Sequence, residues 1–187
     1  FFLHNCAIIT HMTAQTYVFF GIIGSGKGTQ AELLKKYLND KGLETVYAGT
    51  GDWFRSLMSV ESYTGNIVKM YMSEGRLQPD FLANSIIANI LTNSLDDNKI
   101  LLTDGYPRTI GQSIVFDSMM KFYNRNNVKI IFIDLREEEA VKRNILRARH
   151  DDTEEGIKKR IQEFKDNVIP SMNYFKDKEG YTIYSIN

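Results

Sequence analysis

A glycine-rich stretch restricts the fold of this chain more than any other feature: Gly21-Ile-Ile-Gly-Ser-Gly-Lys-Gly-Thr-Gln30. The apolar residues Tyr17–Phe20 before it predict a short buried strand, and the helical spacing after it predicts a helix over Lys27–Lys41. A glycine turn between a strand and a helix lets backbone N–H groups surround phosphate oxygens, and the positive end of the helix adds to the attraction. The stretch therefore predicts a nucleotide phosphate site in an α/β fold.

Within this loop, Lys27 is the side chain that we expect to reach a transferred phosphoryl group. In the general pattern of phosphate-binding loops, Ser or Thr follows the lysine directly. Here Gly28 holds that position and Thr29 comes next. The alternative is a structural glycine turn that contains a lysine by chance, but a strand before the turn and a helix after it argue against that alternative. The loop residues expected to bind ATP are Gly24, Ser25, Gly26, Lys27, Gly28 and Thr29.

Short apolar stretches alternate with helical patterns along the chain, which predicts a parallel sheet with helices on both sides. The further strands are expected at Thr45–Tyr47, Ile100–Thr103, Val128–Leu135 and Tyr181–Ile186. The further helices are expected over Asp52–Glu74 (with a break near Gly65), from Pro79, and over Ile110–Tyr123, Glu137–Arg147 and Thr153–Ile169. The continuous apolar run Ile130–Ile133 is typical of a strand that is covered on both faces. The fold class is α/β.

Composition excludes several classes of protein. The 187 residues suit one domain, and 23 Lys plus Arg balance 23 Asp plus Glu, which argues against a dedicated nucleic-acid binder. No stretch approaches the roughly 20 apolar residues that span a bilayer. The single cysteine, Cys6, excludes an internal disulfide and a cysteine zinc cluster. We expect a cytoplasmic monomer.

Motifs beyond the loop resemble the adenylate kinase family of nucleoside monophosphate kinases. They follow the family order and extend from Tyr17 to about Asn187. Besides Gly24–Gln30, they are Thr50-Gly-Asp-Trp-Phe-Arg55, Gly75-Arg-Leu-Gln-Pro-Asp80, Asp104-Gly-Tyr-Pro-Arg-Thr-Ile-Gly-Gln112, and Arg149-His-Asp-Asp152 followed by Arg160. The resemblance implies a P-loop three-layer α/β/α fold with a five-stranded parallel sheet, a small helical monophosphate-binding insert and a lid that is nearly absent.

The resemblance also implies domain boundaries. Residues 12–187 would form the kinase domain, with the monophosphate-binding insert at 49–78 and a vestigial lid at 147–152, where only Ala148 separates Arg147 from Arg149. Residues 1–11 form an N-terminal extension to which the sequence assigns no role. Family members continue past the last strand to contact the donor's adenine; the sequence ends at Asn187, so we assign no donor contact there.

The resemblance assigns the acceptor site. Arg55 and Arg108 would clamp the phosphate of the monophosphate, because two guanidinium groups can each form paired hydrogen bonds to it. Thr50 and Gln112 hold positions that face the adenine of AMP in the family. The full set expected to bind AMP is Thr50, Gly51, Arg55, Arg76, Leu77, Gln78, Gly105, Tyr106, Pro107, Arg108, Gln112, Arg149 and Arg160.

The donor side and the catalytic group follow in the same way. Arg143 and Arg147 share a helix face and would contact ATP, whereas Arg149 and Arg160 would bridge the phosphates of both substrates. The catalytic set is Lys27, Arg108, Arg149 and Arg160. The alternative for these late arginines is a salt-bridged helix surface, since acidic residues surround them.

A magnesium ion is the implied cofactor. Asp104 follows an apolar strand and resembles the family residue that holds Mg²⁺ through water, which suits a hard carboxylate oxygen. Thr29 is the second expected metal contact. Alone, Asp104 would also be explained as a turn residue before Gly105.

The sequence departs from the family at several positions. Ile23 replaces a loop proline, Gly49 replaces a serine, Gln78 replaces an apolar residue, and Trp53, which we expect to pack in the core, replaces a leucine. The expected function is reversible transfer of the γ-phosphoryl group of Mg-ATP to AMP, in nucleotide biosynthesis. The alternatives are a UMP/CMP-preferring kinase of the same family and a nucleotide-binding module without turnover.

Overall fold

Five parallel strands form one sheet in the computed structural model, which describes residues 15–147 and 154–187. The strands are β1 (Thr16–Gly21), β2 (Thr45–Gly49), β3 (Ile100–Asp104), β4 (Val128–Ile133) and β5 (Tyr181–Ile186). Their order across the sheet is β2-β3-β1-β4-β5, so β1 lies in the centre. Phe19 of β1 lies beside Asp104 of β3 and Ile131 of β4. The fold class and the five-stranded parallel sheet are confirmed.

Helices flank the sheet and connect its strands. Within the described residues they are α1 (Lys27–Asp40), α2 (Thr50–Met58), α3 (Tyr63–Ser73), α4 (Asp80–Ser94), α5 (Ile110–Phe122), α6 (Glu137–Arg147), α7 (Glu154–Glu163) and α8 (Ile169–Asn173), with a π-helical turn at Phe164–Val168. Gly42 follows α1 with φ +75°, the left-handed conformation that ends a helix most easily when the residue is glycine. Thr109 caps α5 by accepting a hydrogen bond from the N–H of Gln112 at 3.1 Å.

The break between α2 and α3 differs from the expected break near Gly65. The two helices separate at residues 59–62, and Gly65 lies in the first turn of α3, where its N–H donates to the capping hydroxyl of Ser62 at 3.0 Å. A Cβ on Gly65 would lie 2.5 Å from the Val60 carbonyl oxygen. The glycine is therefore required by the close approach of the preceding turn and does not itself break the helix.

The core lies mainly on one face of the sheet. There, buried residues of β1, β3 and β4 pack against α4, α5 and the segment around Phe175. On the opposite face, α1 covers Ile100 and Leu102 of β3 through Leu38. Tyr184 and Ile186 of β5 stay about half exposed on that second face, at 47% and 50%. Toward the end of β4, Ile131–Ile133 are only partly buried, so the two faces are covered less completely there than the apolar run predicted.

No helix in the described part of the chain is both long and apolar enough to cross a membrane. Several expectations lie outside the described residues: the N-terminal extension at 1–11, the lid residues from 148 onward, and Arg149. Arg147 is the last residue of α6, and the structure describes its place in the helix but not its side chain.

Candidate active site

A cavity of about 560 Å³ opens at the carboxyl ends of the central strands. It is bounded by the glycine loop after β1, the α2–α3 segment, the loop after β3, and α7. Open parallel sheets bind ligands at this edge. The predicted site residues that line the cavity are Gly24, Gly26, Lys27, Gly28, Thr29, Thr50, Gly51, Arg55, Arg76, Leu77, Gln78, Asp104, Gly105, Pro107, Arg108, Gln112, Arg143 and Arg160.

Two described residues of the predicted site, Ser25 and Tyr106, do not line the cavity. Ser25 is buried, and a Cβ on Gly21 would lie 2.6 Å from its hydroxyl oxygen, so Ser25 supports the loop from behind. Tyr106 is 1% exposed in the core, where its hydroxyl donates to Asn84 at 2.7 Å. A nucleotide in this cavity would therefore meet the backbone near Tyr106 and not its ring.

The glycine loop has the backbone shape expected of a phosphate site. Gly24 and Gly26 have φ values of +76° and +88°, which side chains other than glycine rarely adopt. A Cβ on Gly24 would lie 2.5 Å from Nδ2 of Asn144 and 3.1 Å from the Ala140 carbonyl oxygen, so α6 packs closely against this glycine. The α1 helix begins at Lys27 directly after Gly26, which directs its N-terminal N–H groups toward the cavity.

Lys27 lies at the mouth of this loop. Its Nζ donates to the carbonyl oxygen of Ile22 at 3.4 Å, a long and weak contact across the loop. The adjacent Gly28 lies against Asp104, because a Cβ at Gly28 would lie 3.1 Å from Oδ2 of Asp104. The lysine and the predicted metal ligand are thus brought to the same end of the cavity.

Three arginines concentrate positive charge in the same cavity. Burial lowers the pKa of Arg108, and the positive charges of Arg160 and Arg55 lower it further, whereas Asp104 acts in the other direction. Arg55 also forms an ion pair with the exposed Asp52. Neighbouring guanidinium groups of like charge repel one another, so their proximity favours an anion between them.

The loop after β3 holds Arg108 in place. The Gly105 carbonyl oxygen accepts from Nε of Arg108 at 2.7 Å and from the hydroxyl of Thr50 at 2.9 Å. Gly105 has φ +74°, and a Cβ there would lie 2.6 Å from a terminal nitrogen of Arg108. This glycine is therefore needed both for the turn and for the position of the guanidinium group.

Gln112 lies beneath the same loop. Its Oε1 accepts from the backbone N–H of Arg108 at 2.8 Å, and its Nε2 donates to Asp80 Oδ1 at 2.9 Å. The hydroxyl of Thr109 donates to the same Asp80 carboxylate at 2.9 Å. Asp80 therefore ties the start of α4 to the start of α5, next to the predicted adenine contact.

The carboxylate of Asp104 suits a hard divalent cation. Oδ2 accepts from the Tyr47 hydroxyl at 3.2 Å, and Oδ1 is buried without a hydrogen-bond partner in the described chain. Such an unpaired buried oxygen is costly unless a ligand or water meets it. Burial, and next the charge of Asp104, raise the pKa of Tyr47 above its ordinary value, so its hydroxyl donates at neutral pH. These residues fit Mg²⁺ bound through water.

Comparison with known proteins agrees with this geometry. The sequence profile of the adenylate kinase family matches residues 19–180. The adenylate kinase of Prochlorococcus marinus (strain MIT 9301) is 34% identical over 160 residues, which cover 86% of this chain and 84% of the relative. An adenylate kinase of Bacteroides fragilis is 36% identical over 169 residues, 88% of this chain and 86% of the relative. The chain belongs to the adenylate kinase family.

This membership makes the chain an ATP-dependent nucleoside monophosphate kinase. In this adenylate kinase family member, Arg143 lies at the cavity edge and pairs with Glu139 at 3.0 Å. Arg160 lies in the cavity wall and donates to the Met72 carbonyl oxygen at 3.3 Å, which links α7 to α3. Arg76 stacks over Tyr71 and pairs with Glu74 on the surface. The ion pairs of Arg143 and Arg76 are of the kind expected if these arginines formed only a salt-bridged surface. Both arginines nevertheless line the cavity.

Trp53 corrects one expectation about this family member. Its side chain is 43% exposed and does not line the cavity, whereas its neighbour Phe54 is buried and does. On a short amphipathic helix, adjacent residues point about 100° apart, so only one of the two can face the core. The apolar anchor of α2 is therefore Phe54.

Sequence reasoning missed two residues of the site. Tyr47 was assigned only to a strand, and Asp80 only to a motif. Side chains alternate along a strand, and in the register of β2 with β3, Gly49 lies opposite Asp104. Tyr47, two residues before Gly49, therefore lies on the same face as Asp104; knowledge of strand order would have been needed to use that signal.

Proposed function

We propose that this kinase transfers the γ-phosphoryl group of Mg-ATP reversibly to AMP, giving two ADP. One observation carries the proposal: a single cavity is lined both by a phosphate loop with Lys27 and by the Arg55, Arg108 and Arg160 group. Two phosphate-binding regions facing the same space suit transfer between two nucleotides. The proposed catalytic set is Lys27, Arg108 and Arg160 together with Arg149.

On the donor side, the glycine loop and the start of α1 would hold the ATP phosphates through backbone N–H groups. Lys27 would supply a positive charge to the transferred group, and Arg143, which also lines the cavity, would contact the donor. Phosphoryl transfer needs little covalent chemistry from the protein, so its acceleration comes from positioning and charge. Arg147 is assigned to the same donor region.

On the acceptor side, Arg55 and Arg108 would clamp the AMP phosphate by paired hydrogen bonds. Burial lowers the pKa of Arg108, and a phosphate anion would restore the favourable environment of its charge. Thr50 and Gln112 would face the adenine, because both line the cavity and contact the loop after β3, Thr50 at Gly105 and Gln112 at Arg108. The segment 49–78 would close over the acceptor and exclude water.

The cofactor would be held by Asp104 through water, with Thr29 at the same end of the cavity. When bound, Mg²⁺ neutralises charge on the phosphates of the donor. The protein's own contribution is a carboxylate oxygen that is buried and unpaired among the described residues.

The test is a comparison of acceptors. The purified chain is mixed with Mg-ATP and, separately, with AMP, UMP, CMP, GMP or dTMP, and the nucleotides are separated by anion exchange. We expect diphosphate product with AMP, and none when Mg²⁺ is omitted. Product with a pyrimidine acceptor only would contradict the AMP assignment, and ATP binding without transfer to any acceptor would contradict the proposed activity.

A further inference from the structure

We propose that Tyr47 is a positioning residue for the metal-facing carboxylate of this site. Its hydroxyl holds one oxygen of Asp104 and so fixes the orientation of the carboxylate that a hydrated cation would meet. The proposal rests on the proposed function, because it assigns Asp104 to the metal of the donor nucleotide.

The contact joins two neighbouring strands. Tyr47 lies on β2 and Asp104 at the end of β3, and the Tyr47 hydroxyl donates to Oδ2 of Asp104 at 3.2 Å. The tyrosine side chain is half-buried and lines the same cavity as Asp104. A hydrogen bond from a neutral hydroxyl to a carboxylate is stronger than one between neutral groups.

Neighbouring residues restrict the position of the ring. A Cβ on Gly49 would lie 2.6 Å from Cε1 of Tyr47, so the backbone of β2 passes directly beside the ring only because residue 49 has no side chain. Lys35 of α1 lies over the ring, with its Nζ 5.2 Å from the ring centre. The hydroxyl is therefore directed by packing on two sides.

The carboxylate is restricted in turn. On the loop side, a Cβ at Gly28 would lie 3.1 Å from Oδ2, so the loop backbone approaches the same oxygen that Tyr47 holds. Oδ1 is buried and has no hydrogen-bond partner in the described chain. Contacts to Oδ2 thus fix the carboxylate, while Oδ1 keeps an unmet hydrogen-bonding capacity that a water of a hydrated cation would satisfy.

The decisive variant is Tyr47→Phe, which keeps the ring and removes the hydroxyl. Loss of one hydrogen bond to a charged group predicts an increase of about fivefold to tenfold in the Mg²⁺ concentration that gives half-maximal rate. The KM for AMP should stay within about twofold, because Tyr47 acts on the metal side. Tyr37→Phe is the matched control, since Tyr37 is exposed on α1 and should leave both quantities unchanged.

A binding measurement tests the same point without turnover. Calorimetry compares the affinity for ADP with and without Mg²⁺, and the wild-type chain should bind ADP more tightly when Mg²⁺ is present. In Tyr47→Phe this gain should fall by the same factor as the metal requirement rises. If wild-type binding gains nothing from Mg²⁺, the proposal fails whether or not the chain is a kinase.

A double-mutant cycle separates positioning from packing. In the background of Asp104→Asn, Tyr47→Phe should have no further effect on the Mg²⁺ gain. An unchanged metal requirement in Tyr47→Phe, with only a lower melting temperature, would assign Tyr47 to packing and overturn the proposal. Absence of transfer by the wild-type chain, with a normal Mg²⁺ gain that Tyr47→Phe reduces, would overturn the proposed function alone.

Discussion

Gln112 is held by two groups of opposite hydrogen-bonding character. The backbone N–H of Arg108 can only donate and therefore meets Oε1, whereas the Asp80 carboxylate can only accept and therefore meets Nε2. If the carboxamide rotated by 180°, Nε2 would face the Arg108 N–H and Oε1 would face the Asp80 carboxylate, so the rotation is disfavoured. Nε2 keeps a second N–H that can donate, and Oε1 keeps a second lone pair that can accept. A nucleobase that offers both an acceptor and a donor could use these two groups.

Replacing Asp80 by Asn tests this arrangement. The variant lacks the charged carboxylate that accepts hydrogen bonds from Thr109 and Gln112. The carboxamide of Gln112 is therefore no longer fixed. We expect the KM for AMP to rise by about tenfold while the KM for ATP changes by less than about twofold, from the loss of a partly buried charge-assisted hydrogen bond. Steady-state kinetics with each nucleotide varied in turn measures both values.

The control for this experiment is Asp97→Asn, which removes the same charge from an exposed loop. It should leave both KM values unchanged. An equal rise of both KM values in Asp80→Asn would show a general loss of structure and contradict the positioning of Gln112.

For individual residues, the sequence predicted a role where the interacting partners lie within one motif. Lys27 and Arg108 could be assigned from their immediate neighbours. Tyr47 and Asp80 could not, because their contacts join residues 57 and 32 positions apart in the chain. A single sequence carries no signal for such pairs until the strand order is known.

Between elements, Asp117 of α5 connects three parts of the fold. Its buried carboxylate accepts from the Tyr181 hydroxyl on β5 at 2.9 Å and from Nζ of Lys178 at 3.0 Å. Lys121 of the same helix donates at 3.1 Å. Burial alone would raise the pKa of Asp117, but the hydrogen bonds from Lys178, Lys121 and Tyr181 outweigh burial, so the pKa lies below its ordinary value.

This network predicts a pH dependence of stability. Since the pKa of Asp117 is lowered in the folded chain, its stabilisation is present above the unfolded value of about 3.9 and is lost as the pH falls through the folded value. Asp117→Asn should therefore lower the free energy of unfolding by about 2 kcal/mol at pH 7 and by less near pH 3, which lies below the unfolded value. Urea denaturation at both pH values measures the difference.

Asp177→Asn is the control, because Asp177 is exposed near Lys178. A loss for Asp117→Asn that is as large near pH 3 as at pH 7 would contradict the role of the ionised carboxylate.

Element boundaries were predictable where a capping residue marks them. The expected helices Lys27–Lys41 and Ile110–Tyr123 agree with α1 and α5 to within one residue, and Gly42 and Thr109 stand beside those bounds. The break at 59–62 was missed although Ser62 caps α3, because Gly65, where the break was expected, is needed for the close approach of the preceding turn at the Val60 carbonyl. Trp53 and Phe54 could not be ranked for burial, since the short α2 gives too few turns to define its apolar face.

For the whole molecule, the sheet order decides which distant residues meet. Because β1 lies between β3 and β4, the phosphate loop after β1 comes beside Asp104 and the Arg108 loop after β3. Alternation of strands and helices predicted the parallel sheet, but several strand orders satisfy that alternation. The order, and with it the joining of donor and acceptor regions in one cavity, required the structure.

The central claim is that this cavity passes the phosphoryl group to a nucleotide and not to water. The measurement that tests it most directly follows ATP, AMP, ADP and inorganic phosphate together during one reaction with Mg²⁺. The account predicts two ADP formed for each AMP consumed, with no phosphate release above background. Lys27→Met should slow this reaction by about 10²-fold to 10³-fold, as expected for loss of one charge at the transition state, and Lys36→Met, an exposed lysine on α1, should not. Release of phosphate from ATP while AMP stays constant would contradict the account.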